Sequence, residues 1–178
     1  MEHPDEGRWF TALYGEFRPR VYAYAVSRVG RDLADDVVAD TFLVVWRRLD
    51  AVPAVPLPWL LGVARNVIRE RYREEVRQVS LAAEMRAWVE EAQADVADGV
   101  TEKAAMLAAL ARLGDDDREL LTLVAWHGLG AREAAKVVGC STATYFVRLH
   151  RARKRLEQAL AGSARRPPVS RPTQEYSR

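Results

Sequence analysis

Two groups of basic and polar residues have the types and spacing that suit contacts with nucleic acid. An amide among guanidinium groups on one helix suits phosphate tracking combined with base contact. The first group consists of Arg65, Asn66, Arg69 and Arg73. The second, which ends in a strongly basic run, consists of Thr142, Thr144, Phe146, Val147, Arg148 and Arg151. The alternative is that both groups are ordinary solvated helix faces, as most charge runs are.

The segment 135–149 (AKVVGCSTATYFVRL) has the pattern of a helix-turn-helix. Gly139 ends a short helix in a turn that favours glycine, and Ser141 or Thr142 caps a second helix. The small Ala135 allows the two helices to approach, and Leu149, Ala152, Leu156 and Leu160 would hold the second helix down. The pattern favours a major-groove reader, the alternative being an ordinary helical hairpin.

A third group, Asp35, Asp36 and Asp40, is acidic and indicates a protein contact rather than a metal site. No histidine lies near it, and its spacing matches no calcium loop. The chain also lacks a Gly-rich phosphate loop, a nucleophile–base arrangement and any Cys/His ligand spacing. Its one cysteine, Cys140, is expected to be a small buried apolar residue. We therefore expect no enzyme, no cofactor and no metal.

The formal net charge of the 178 residues is only +2, because opposite charges are separated along the chain. Segment 32–40 holds four Asp, 65–73 holds four Arg, 74–102 is acidic and 148–155 is basic. Such a division suggests two polyanion-binding surfaces, since phosphate neutralisation depends on local charge. No apolar run approaches the roughly 18–20 residues of a membrane span, so no membrane insertion is expected.

The elements that must position these groups are all helices, arranged in two small domains. Residues 8–75 predict three: one ending at Gly30, one capped by Asp32, and one over 58–75 after a proline-rich loop at 51–58. Residues 103–161 predict four: 104–113 ended by Gly114, a second capped by Asp115 or Asp116, a third over 132–138, and a fourth from about 142 to 160. A linker (76–102) joins the domains, and a flexible basic tail (162–178) follows.

The two blocks in this order resemble a bacterial extracytoplasmic-function (ECF) sigma factor of RNA polymerase, of the sigma-70 family. Three strings carry the resemblance to region 2, FTALYGEFRPRVYAYAVSRV, DLADDVVADTFLVVWRRL and PWLLGVARNVIRERYR; the helix-turn-helix block carries the resemblance to region 4. The likeness covers about 10–75 and 104–160. The chain departs from the family pattern in its apolar loop, in Gly130 at a usual Ser/Thr cap, and in Tyr145, Phe146 and Val147, where an aliphatic residue, a lysine and a serine are usual.

The resemblance implies a role for each surface. Asp35, Asp36, Asp40 and Thr41 would dock on the clamp of the polymerase β′ subunit. The loop 51–57 and the helix with Arg65, Asn66, Arg69 and Arg73 would take the −10 promoter element as an unstacked single strand. Residues of the helix 142–156 would read the −35 element as duplex, and the core partners would include the β flap.

The implied function is promoter-specific transcription initiation in the bacterial cytoplasm, with promoter DNA and core polymerase as partners and an anti-sigma factor as regulator. Two alternatives stay open at this point. A stand-alone helix-turn-helix regulator would bind duplex DNA specifically without polymerase. A helical protein-interaction adaptor would show no salt-dependent affinity for nucleic acid.

Overall fold

The computed structural model describes residues 4–71 and 99–164, and in these ranges every regular element is helical. This agrees with the all-α prediction. The helices are α1 (Pro4–Val29), α2 (Arg31–Trp46), a 3₁₀ turn (Leu49–Ala51), α3 (Pro56–Arg71), α4 (Gly99–Ala111), α5 (Asp115–Ala125), α6 (Ala131–Val138) and α7 (Thr142–Ala164). Arg73, most of the predicted linker and the tail from 165 lie outside the described residues.

The N-terminal unit consists of α1, α2 and α3, which pack against one another. Their apolar stripes meet in a core that includes Val21, Val37 and Leu60, all fully buried. In the N-terminal half of α1, Phe10 packs edge-on against Trp46, with ring centroids 5.0 Å apart. This aromatic contact adds to the packing of α1 on α2.

Two local predictions in this unit are wrong. Asp32 does not cap α2, because the helix begins at Arg31 and Gly30 is its N-cap, at φ 85°. The proline-rich segment is a loop only as far as residue 55, since α3 begins at Pro56. Prolines are tolerated in the first turn because the N–H groups there have no intrahelical partner.

The C-terminal unit contains the predicted helix-turn-helix, formed by α6 and α7. Gly139 lies in the left-handed region, at φ 72° and ψ 42°, and turns the chain between the helices. The Ser141 hydroxyl accepts a hydrogen bond from the Thr144 N–H at 3.1 Å, so Ser141 is the predicted cap. Tyr145 is completely buried, and its hydroxyl donates to the Leu120 carbonyl oxygen at 2.8 Å. The turn is therefore fixed to α5.

Other boundaries in this unit differ from prediction. The first helix, α4, begins at Gly99 rather than 104, and Gly114 rather than Asp115 or Asp116 is the N-cap of α5. The three acids Asp115, Asp116 and Asp117 lie in the first turn of α5, where they complement the helix dipole. Arg118 satisfies the end of α4 by donating to the carbonyl oxygens of Leu110 (3.1 Å) and Leu113 (2.7 Å).

The two units pack directly on each other. Helix α3 of the first lies against α6 of the second, and the buried apolar residues of both belong to one cluster. The contact brings together side chains that are about 50 to 100 residues apart in the sequence, and it decides which of the predicted binding residues are exposed.

Candidate nucleic-acid and protein interface

The exposed face of α7 carries most of the second predicted group. Phe146 is 56% exposed and Val147 is 52% exposed, so the two adjacent side chains form a small apolar patch on the helix. Thr144 and Arg151 are also exposed, whereas Thr142 and Arg148 are partly buried. Leu149 and Ala152, on the other face, are buried as predicted. The helix therefore presents an apolar tip beside guanidinium groups.

The acidic first turn of α5 interacts with two arginines of α7. Arg155 pairs with Asp117 at 2.7 Å, and Arg148 lies 3.6 Å from Asp116. The two arginines are seven residues apart, so these pairs follow one line along α7. They orient α7 on α5, with Arg151 on the exposed surface between them.

The first predicted group is divided by the fold. Asn66 and Arg69 are exposed on α3. The Arg65 side chain instead points into the contact between the two units and is only 11% exposed. Its Nε donates to both carboxylate oxygens of Glu119, at 3.0 and 3.1 Å.

Glu119 is the centre of a buried polar cluster between the units. Its side chain is 1% exposed, and besides Arg65 it accepts a hydrogen bond from the Tyr24 hydroxyl at 2.5 Å. Arg28 lies 3.8 Å from the same carboxylate. Burial raises the pKa of Tyr24 well above its usual value, and the Glu119 carboxylate raises it further, so Tyr24 remains a donor. Burial by itself would lower the pKa of Arg28, but the adjacent Glu119 raises it and keeps Arg28 charged.

Further hydrogen bonds surround this cluster. Arg28 donates to the Asp115 carbonyl oxygen at 3.1 Å, and Arg20 donates to that of His127 at 2.6 Å. The His127 ring packs edge-on against Tyr24, with centroids 5.6 Å apart. Burial, with a smaller contribution from Arg20, lowers the pKa of His127 to about 4. Removing one partner from a buried charge cluster of this kind typically costs about 3–5 kcal/mol.

Sequence reasoning did not find this cluster. The signal was present in α5, where Glu119 lies directly before the apolar Leu120 and Leu121 and close to Leu123. A carboxylate in such a stripe is rarely buried without a charged partner. Its partners come from α1 and α3, however, and no spacing rule within one helix identifies them.

The predicted protein contact lies on α2. Asp35 and Asp36 are exposed, and Asp35 accepts a hydrogen bond from Arg18 at 2.9 Å. Asp40 is partly buried. Thr41 is fully buried and donates to the Val37 carbonyl oxygen at 2.7 Å, so its side chain faces the core.

Within residues 4–71 and 99–164 no three His, Cys, Asp or Glu side chains form a group that could hold a metal ion. In the same residues, none of the helices has the length and apolar character needed to cross a membrane.

Two family models match the chain. The model of Sigma-70 region 2 matches residues 13–78, and the model of Sigma-70, region 4 matches residues 103–156. The ECF RNA polymerase sigma factor EcfG of Rhodopseudomonas palustris is 35% identical over 145 residues, which are 80% of each chain. This chain belongs to the ECF sigma factors.

Other relatives of this ECF sigma factor agree. The RNA polymerase sigma factor CnrH of Cupriavidus metallidurans is 30% identical over 190 residues, covering 90% of this chain and 97% of CnrH. Among solved structures, the sigma factor RpoE of Bartonella quintana, in complex with the anti-sigma factor NepR, matches with TM-score 0.63 and 25% identity, covering 91% of this chain and 98% of RpoE. CnrH with the cytosolic domain of CnrY matches with TM-score 0.61 and 28% identity, covering 88% and 90%.

This ECF sigma factor therefore acts in transcription initiation, where it binds core RNA polymerase and promoter DNA. The comparisons do not favour a stand-alone helix-turn-helix regulator or an adaptor, because the chain matches region 2 as well as region 4.

Proposed function

We propose that three surfaces divide the work of this sigma factor among core polymerase, the −10 element and the −35 element. Residues 8–75 form the region 2 domain, 76–102 the linker, 103–161 the region 4 domain, and 162–178 the tail. The observation that carries the proposal is the exposed apolar and basic face of α7, which follows a turn of helix-turn-helix geometry. The protein itself performs no catalysis and acts where the polymerase acts, in the bacterial cytoplasm.

Helix α7 reads the −35 duplex through the major groove. Thr142, Thr144, Arg148 and Arg151 supply polar and phosphate contacts, and the exposed Phe146 and Val147 contact thymine methyl groups. If Phe146 and Val147 contact thymine methyl groups, binding should depend on those methyls, and uracil differs from thymine only in lacking the methyl. Replacing contacted thymines by uracil should weaken binding by roughly fourfold per methyl, about 0.8 kcal/mol.

The uracil test uses polymerase holoenzyme and matched promoter duplexes. Phe146→Ala/Val147→Ala should bind the two duplexes equally, whereas the control Gln158→Ala, exposed farther along α7, should keep the wild-type preference for thymine. Equal binding of both duplexes by the unaltered protein would rule out methyl readout.

Helix α3 and the loop before it hold the −10 strand. Asn66 and Arg69 are exposed on α3, and we assign Arg65 and Arg73 to the same strand. The loop itself is apolar, but a cavity of about 380 Å³ lies between it and α1, with Trp9 in its wall. Trp9 is 44% exposed and supplies the aromatic surface on which an unstacked base can pack.

Helix α2 docks on the β′ clamp through Asp35, Asp36 and Asp40, while the buried Thr41 packs in the core and positions them. We assign the β flap to region 4, where an apolar groove of about 380 Å³ exposes Met106 and Trp126. The solved structures of RpoE with NepR and of CnrH with CnrY support regulation of this chain, too, by an anti-sigma factor.

Reconstitution with core polymerase tests the assignment. The protein should direct run-off transcription from a subset of promoters, whose start sites define the −10 and −35 elements. Asp35→Arg/Asp36→Arg should weaken binding to core polymerase at least tenfold, because four units of charge change on the docking face. The control Glu6→Arg/Asp50→Arg changes the same charge at two other exposed acids and should bind normally. Normal binding by the α2 variant would refute the docking surface.

A further inference from the structure

Glu119 belongs to α5 of the region 4 unit, yet its side-chain hydrogen bonds are with region 2. Tyr24 donates to it from α1 and Arg65 donates to both of its oxygens from α3. An acid of the −35-binding domain thus holds the guanidinium that we assign to the −10 strand.

Carboxylate and phosphate compete for the same donors of a guanidinium group. With Glu119 in place, Arg65 is 11% exposed and its Nε–H is already shared between the two carboxylate oxygens. A strand phosphate cannot reach this donor unless Glu119 moves away. Since Glu119 lies on a helix of the other unit, separation of the two units would remove it from Arg65.

We propose that Glu119 is an intramolecular latch, which occupies Arg65 in the free protein and must release it before α3 binds the −10 strand. The proposal rests on the proposed function of Arg65. The other two surfaces stay accessible while the latch is closed, because Asp35 and Asp36 on α2 and Phe146 on α7 are exposed in the same conformation. Core polymerase and the −35 duplex therefore have access to the closed form, and the −10 strand does not.

Two features of the cluster limit the stability of the closed arrangement. The buried Nε of Arg28 and Nε2 of His127 have no hydrogen-bond partner among the described residues, and both lie beside the cluster. Unpaired buried polar groups favour the separated state, in which water can bind them. Buried ion pairs themselves add little net stability, because desolvation offsets their attraction. The cluster thus specifies one closed arrangement without making it permanent.

The test measures domain separation and strand binding in the full-length chain without polymerase. Spin labels at Ala39→Cys and Gln158→Cys, two exposed positions, report the distance between the units in a Cys140→Ala background. Glu119→Gln should raise the separated-to-closed ratio at least tenfold. Affinity for a fluorescent single-stranded oligonucleotide, carrying the −10 segment of a promoter found by start-site mapping, should rise by a similar factor at low salt. The control Glu157→Gln removes the same charge at an exposed site and should change neither quantity.

Three results would contradict the latch, the competition for Arg65 or the assignment of Arg65 to the −10 strand. An unchanged distance distribution in Glu119→Gln eliminates the latch, whatever the promoter experiments give. Separation without a gain in strand affinity eliminates the competition. A third outcome is that Glu119→Gln separates the units while Arg65→Ala supports normal transcription by the holoenzyme. That outcome supports the latch but shows that Arg65 is not part of the −10 site. If circular dichroism shows that Glu119→Gln does not fold, Tyr24→Phe loses one hydrogen bond of the cluster and should shift both quantities a few-fold in the same direction.

Discussion

Helices α3 and α7 look alike in the sequence but differ in the structure. Each is amphipathic, each carries arginines on its polar face, and each is assigned to one promoter element. On α7 the apolar tip and Arg151 are open to solvent, whereas on α3 Arg65 is buried against Glu119 of the other unit. A basic helix face is therefore not by itself an accessible surface. Access depends on what the rest of the chain places over it.

The largest effect expected from this difference is on DNA binding by the free chain. At low salt, Arg148→Ala/Arg151→Ala should weaken binding to duplex DNA by about tenfold to a hundredfold, since two guanidinium contacts are lost. The dependence of log affinity on log salt should become shallower by up to about 2. Arg65→Ala should neither weaken duplex binding nor make the salt dependence shallower, because that side chain is covered in the free chain.

Anisotropy titrations over a salt series provide the measurement. Should Arg65→Ala weaken duplex binding as much as the α7 variant does, α3 is accessible in the free chain and the contrast between the helices is wrong.

The next largest effect concerns the free energy of unfolding of the protein at acidic pH. The pKa of buried His127 is lowered to about 4 from the ordinary 6.5, so between these values the unfolded state binds more protons than the folded state. His127 therefore makes the protein less stable as pH falls through this window. From pH 7 to pH 5 its contribution should be a loss of about 2 kcal/mol.

Urea unfolding at several pH values measures this loss, and His127→Gln is the variant that should lack this part of the pH dependence. His150→Gln is the control, because His150 is exposed on α7. A pH profile that is the same in His127→Gln and in the unaltered protein would mean that His127 does not titrate as its buried position requires.

The smallest expected effect is on the free energy of unfolding and concerns the N-terminal cap of α7. Ser141 caps α7 through its hydrogen bond from the Thr144 N–H, so Ser141→Ala should lower the free energy of unfolding by about 1 kcal/mol. Thermal unfolding measures it, with Ser141→Asp expected to retain the cap. Loss of stability in Ser141→Asp equal to that in Ser141→Ala would show that the hydroxyl does not act as a helix cap.

Local chemistry was predictable where a single residue type determines the backbone. Gly139 takes the left-handed conformation that the pattern requires, Ser141 caps α7, and Leu149 and Ala152 face the core. Prediction was wrong about the N-caps of two helices. Gly30, not Asp32, is the N-cap of α2, and Gly114, not Asp115 or Asp116, is the N-cap of α5; those acids lie within the first turns. A shift of one or two residues depends on packing, which spacing does not describe.

The sequence by itself determined the all-helical fold, the order of the two sigma regions and the positions of the acidic and basic faces, because helical periodicity and turn chemistry are local properties. Only the tertiary structure decided that Arg65 is covered while Arg151 is open, and that Thr41 faces the core. The reason is physical: burying a charge is tolerable only with a partner, and the partner of Arg65 is 54 residues away in the chain. No periodicity within α3 distinguishes Arg65 from its exposed neighbour Arg69, and only the position of Glu119 beside Arg65 does.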